Sequence, residues 1–71
     1  MNNKERAEYA KKVLTYFCEL VPNDDDVETL STDLICNLQH LLFSEGIDYL
    51  NVLERADNHF QTETLEEQNE V

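Results

Sequence analysis

The sequence predicts an all-α fold, a small three-helix bundle, on three observations. Apolar residues recur at spacings of three and four over most of the chain. A single glycine and a single proline leave no means of turning a β-chain every 8 to 12 residues or so. Residues that start and stop helices fall between the apolar stretches. Seventy-one residues make one domain with a thin core, and a hydrophobic share of 41% is too high for a purely disordered acidic chain.

The first helix is expected from about Asn3 to Val21, where Ala7, Ala10, Val13, Leu14, Phe17, Leu20 and Val21 share one stripe. Glu8 and Lys12 add an acid-first surface pair four residues apart. Pro22 ends the helix, because proline disfavours helical geometry in the residue before it. Asn23-Asp24-Asp25-Asp26 forms the turn and the next helix start, with Asp25 as N-cap facing Glu28 in a capping box, or Asp24 in its place. These carboxylates suit the positive end of the helix dipole.

The second helix is expected over 25–44. Val27, Leu30, Leu34, Leu38 and Leu41 form its seam, broadened by Ile35 and Leu42. It is the most hydrophobic element, so the centre of the core is expected there. Gly46 supplies a left-handed cap, Asp48 is the N-cap of a third helix over 49–61, and Ile47 and Val52 occupy hydrophobic-staple positions. The helical domain is thus expected over 1–61. Residues 62–71 carry four glutamates and little to pack, and read as a disordered tail.

The net charge of −11 is uneven. Residues 1–12 sum to +2 and residues 13–71 to −13. A field of that sign repels DNA, RNA and anionic lipid, so a basic protein surface is the expected partner. No apolar run approaches the roughly 20 residues of a membrane span, and the first residues lack the hydrophobic segment of a secretion signal; a cytoplasmic protein is expected. In that compartment Cys18 and Cys36, both inside apolar helical patterns, read as reduced and partly buried thiols.

Catalysis has few candidates. Cys36 and His40, four apart, lie on one helix face with Thr29 and Asp33. A nucleophile would also need an oxyanion hole and a pocket, and a structural zinc site needs four ligands. No metal, no cofactor and no enzymatic activity are therefore expected. His59, near a helix end, interacts favourably with the dipole. The adjacent acids Asp24 to Asp26 have nothing evident to separate their pKa values, as a paired-carboxylate mechanism requires.

The surface remains. Phe43 falls opposite the Leu30, Leu34 and Leu38 seam, on a face with Thr32 and Gln39. Tyr9 and Tyr16, seven apart, stand at the margin of the first helix, where they either widen the core or meet a partner. A homodimer would bury Phe43 as readily as a foreign protein.

Three stretches then carry a resemblance. They are Asp33-Leu34-Ile35-Cys36-Asn37-Leu38-Gln39-His40, Glu45-Gly46-Ile47-Asp48-Tyr49 and Leu53-Glu54-Arg55-Ala56-Asp57-Asn58-His59-Phe60. Together they resemble the C-terminal half of short helical proteins encoded by bacteriophages, prophages and plasmids. The resemblance covers a little under half of the chain. It implies a mobile-element origin, and acidic proteins of that origin often look like inhibitors of host defence, anti-CRISPR proteins and DNA mimics among them. The expectation is thus a non-catalytic protein that blocks a basic, nucleic-acid-handling host protein. Its expected contact residues are Asp24, Asp25, Asp26, Glu28 and Asp33, which would meet Lys and Arg where phosphates lie, with Phe43 as hydrophobic anchor. The alternative is a self-associating, homodimeric helical module whose acidity serves solubility.

Overall fold

The computed structural model describes residues 1–21 and 26–68. They form three helices, α1 (Asn3–Leu20), α2 (Val27–Ser44) and α3 (Tyr49–Gln68), with no strand among the described residues. The all-α, bundle-like architecture read from the sequence is the one observed.

Each described helix start is capped by a short polar side chain. The Asn2 Oδ1 accepts the Glu5 N–H at 2.8 Å, and the Asp26 Oδ1 accepts the Thr29 N–H at 2.9 Å. The α2 cap is therefore Asp26, not Asp25 or Asp24, and the residue three positions on is Thr29, so Glu28 closes no capping box. At α3 the Asp48 Oδ1 accepts the Leu50 N–H at 3.0 Å. The α2 end is the Gly46 turn foreseen in the sequence. The Ile47 N–H reaches the Leu42 carbonyl and the Gly46 N–H that of Phe43, the paired bonds of a Schellman motif. Gly46 sits at φ 71°, a left-handed conformation that costs other L-residues about 1 kcal/mol or more.

The α3 helix differs from expectation. It runs to Gln68, whereas the sequence reading ends it at 61 and begins a tail at 62. The reason is a long-range partner. The Arg6 Nε lies 2.6 Å from the Glu63 Oε2, and the Asn3 side-chain amide donates to the Glu63 carbonyl at 3.2 Å. Arg6 Nη1 in turn donates to the Asn3 Oδ1 at 2.8 Å. Glu63 and Glu67 continue the stripe of Ala56 and Phe60 at helical spacing, so the apolar face ends in acids that meet the start of α1. The expected acidic tail is thus helical to 68, and residues 69–71 lie outside the described residues.

The three helices meet mainly near their ends. The start of α1 meets the end of α3 through this clasp, the second half of α1 faces the first half of α2 around Leu14, Cys18, Val27 and Leu30, and the Gly46 turn joins α2 to α3. The result is spread out, with extents of 41 × 30 × 17 Å and a radius of gyration of 14.2 Å, against about 11 Å for a compact chain of this length.

Little is buried. Phe17, 9% exposed, is the only buried side chain among the described residues. The expectation of a core centred on α2 is overturned: that helix has no buried residue, and Val27, Leu38 and Leu41 of its seam are exposed. Leu30, Leu34 and Leu42 are half-buried. Neighbours touch α2 near its two ends, and between those contacts Leu38 and Leu41 have nothing to cover them.

Candidate functional site

The sequence-derived contact residues divide between two sides of α2. At 100° per residue Glu28, Thr32, Gln39 and Phe43 share one outward stripe, spanning about 22 Å between Glu28 and Phe43 at 1.5 Å per residue. Asp33 lies about 140° round from Glu28 on the same wheel, with Cys36 and His40, and is half-buried. Asp24 and Asp25 lie outside the described residues. Asp26 is fully exposed and engaged in the α2 cap. The Thr29 backbone N–H, and then the Thr29 hydroxyl, hold its carboxyl below the ordinary value of 3.8. It therefore stays ionised at neutral pH and adds negative charge at the start of α2.

Phe43 is the most exposed large apolar side chain described, 86% open to solvent. The i+4 partner toward the helix start is Gln39 and the helix ends one residue later, so nothing on its own face can cover it. It stands at the edge of a shallow groove of about 600 Å³ lined by Cys36, Gln39, His40, Phe43, Ile47, Asp48 and Tyr49. The groove exists because the Schellman turn reverses the chain directly after Phe43 and sets Ile47 and Tyr49 against the side of α2 that carries Cys36 and His40. Tyr49 is half-buried in this corner. The periodicity places Phe43 on an outward face. The groove beside it depends on where α3 departs from the turn, which no spacing in the sequence specifies.

Cys36 and His40 are both exposed, so Cys36 is not the partly buried thiol expected from its pattern; Cys18 is half-buried. No hydrogen bond joins Cys36 to His40, and no group of three or more His, Cys, Asp or Glu is placed to hold a metal ion among the described residues. The Asp48 carboxylate is engaged with the Leu50 N–H. No helix among the described residues is long and apolar enough to cross a membrane.

A second exposed apolar strip lies on α1. Tyr9, Val13, Tyr16 and Leu20 are each more than half exposed, so the two tyrosines do not widen the core. Lys12 lies over the Tyr9 ring, 5.5 Å from its centroid.

The chain matches no protein-family model, and no curated protein or solved structure shows significant similarity to it.

Proposed function

We propose that this chain is a non-catalytic binding protein that works by occupying a basic surface of another protein. The observation that carries the reading is Phe43, an aromatic ring 86% exposed beside an open groove on a chain of net charge −11. Exposed aromatic anchors of this kind dominate protein interfaces, and the acids at the other end of the stripe would set the orientation of the encounter. Asp26 and Glu28, with Asp24 and Asp25 preceding them in sequence, meet Lys and Arg of the partner, and Phe43 enters an apolar pocket about 22 Å away. The resemblance to mobile-element proteins makes a nucleic-acid-handling protein of the host cell the natural target, with inhibition by blocking its phosphate-binding groove.

The immobilised chain, exposed to bacterial lysate, is expected to retain a basic protein whose binding falls steeply between about 0.1 and 0.5 M salt. Phe43→Ala should weaken the purified complex by about 30-fold or more, the loss of one anchor. The combined Asp24→Asn, Asp25→Asn and Asp26→Asn variant keeps an N-cap, since asparagine caps as well as aspartate, and should release the partner. A complex indifferent to salt and to both variants would refute this mode of binding.

A further inference from the structure

We propose that two copies of the chain pair through α1, antiparallel, about a two-fold axis passing between Leu14 and Thr15. The seam is Tyr9, Val13, Tyr16 and Leu20. Their spacing of four, three and four residues is that of the apolar positions of a coiled coil, and it places them on one stripe of α1. The adjoining stripe, with Leu14, Phe17 and Cys18, is the one turned toward the rest of its own chain, buried or half-buried. The seam faces outward, and each of its side chains is more than half exposed.

The open arrangement of the chain leaves the seam room for a second copy. The chain exposes 6157 Å², whereas a compact monomer of 8.3 kDa exposes about 4,600 Å². The excess follows from the separation of the three helices, and the α1 seam is the part of it whose apolar pattern a second copy satisfies.

Charge selects the second copy and the direction. With the axis between Leu14 and Thr15, Val13 packs beside the partner subunit's Tyr16, and Tyr9 beside the partner subunit's Leu20. The same register brings Lys12 within one helical turn of the partner subunit's Glu19, and symmetry repeats the pair. Lys12 already lies at the edge of the seam, over Tyr9. A parallel pair would set Lys12 beside the partner subunit's Phe17 and satisfy neither charge. The location also suits a chain of −11, because α1 has four basic residues against three acids while nearly all remaining charge is negative. Two copies meeting at α1 approach where their repulsion is least.

Sedimentation equilibrium of the whole chain at ten to several hundred micromolar tests this. The wild type should sediment at twice 8.3 kDa. Val13→Asp should sediment at the single-chain mass with its helical circular dichroism retained; Tyr16→Lys repeats the test should Val13→Asp lose helicity. Lys12→Glu and Glu19→Lys should each weaken the dimer by about fivefold or more, since each alters two symmetry-related pairs, and the double variant should return to within about twofold of wild type. Phe43→Asp should leave the dimer intact. A wild type of single-chain mass, a dimer that survives Val13→Asp and Tyr16→Lys, a double charge variant no tighter than the singles, or a dimer dissolved by Phe43→Asp would each overturn the pairing.

Discussion

Two helices of equal length, α1 and α2, divide the work of this molecule in the opposite sense to their composition. The α2 sequence holds two ionised side chains and a broad leucine seam; α1 holds seven ionised side chains. Yet the one buried side chain among the described residues, Phe17, belongs to α1, and α2 has none. The difference follows from where the helices meet. Both are met near their two ends, α1 by α3 and α2, and α2 by α1 and α3; Phe17 lies in the half of α1 that faces α2, whereas Leu38 and Leu41 lie between the two contacts of α2. Hydrophobicity sets what a helix gains from being covered; topology decides whether it is covered. The apolar surplus of α2 stays in contact with solvent.

The sharpest way to break that comparison is to truncate one apolar residue on each helix. Phe17→Ala should cost about 3–5 kcal/mol if the whole ring is lost from packing, enough to unfold most of a chain this small. Leu41→Ala should cost less than about 1 kcal/mol, because more than half of that side chain is already in water. Urea melts followed by circular dichroism give both numbers. If Leu41→Ala were the more damaging, α2 would be the core helix after all.

The contrast also marks what the sequence could disclose. Three helices, their approximate limits, the Gly46 turn and the outward position of Phe43 follow from spacing and capping, which are local. The α2 cap falls on Asp26 because three consecutive aspartates are equally good caps, and the first hydrogen-bonded turn selects among them. The continuation of α3 through residues 62–68 depends on Arg6 and Asn3, some 60 positions away, and nothing local in a run of glutamates announces it. The exposure of Leu38 and Leu41 has the same origin: periodicity shows which face is apolar, not whether anything reaches it. Of the candidate contact residues, Glu28 and Phe43 share a stripe as helical geometry requires. Asp33, five residues beyond Glu28, could not join them.

The clasp between the start of α1 and the end of α3 offers a smaller test. Arg6→Ala or Glu63→Ala should lower stability by roughly 0.2–1 kcal/mol, since both side chains remain partly exposed. The more informative readout is local. Amide exchange over residues 62–68 should accelerate well beyond that in the first turns of α3, because those last turns lose their long-range partner. Equal acceleration along the whole of α3 would mean that the clasp merely adds to global stability and does not specify where the helix ends.

The smallest effect concerns the first turn of α2 and sets it against the corresponding turn of α1. The two caps differ in that the Asn2 amide cannot titrate and the Asp26 carboxyl can. Hydrogen bonds from Thr29 hold the Asp26 carboxyl below 3.8 in the folded chain, so its contribution is fully present above that value and is lost as the pH falls through the lower, folded-state value. Titration from about pH 5 to pH 2.5 should therefore shift the Thr29 amide resonance and speed its exchange, while the Glu5 amide at the Asn2 cap changes less. Asp26→Asn keeps the acceptor and removes the proton, so it should flatten the Thr29 response while leaving the helix start in place. A Thr29 response that persists in that variant would trace to the general protonation of this acidic chain, and the α2 cap would then be no more sensitive to pH than that of α1.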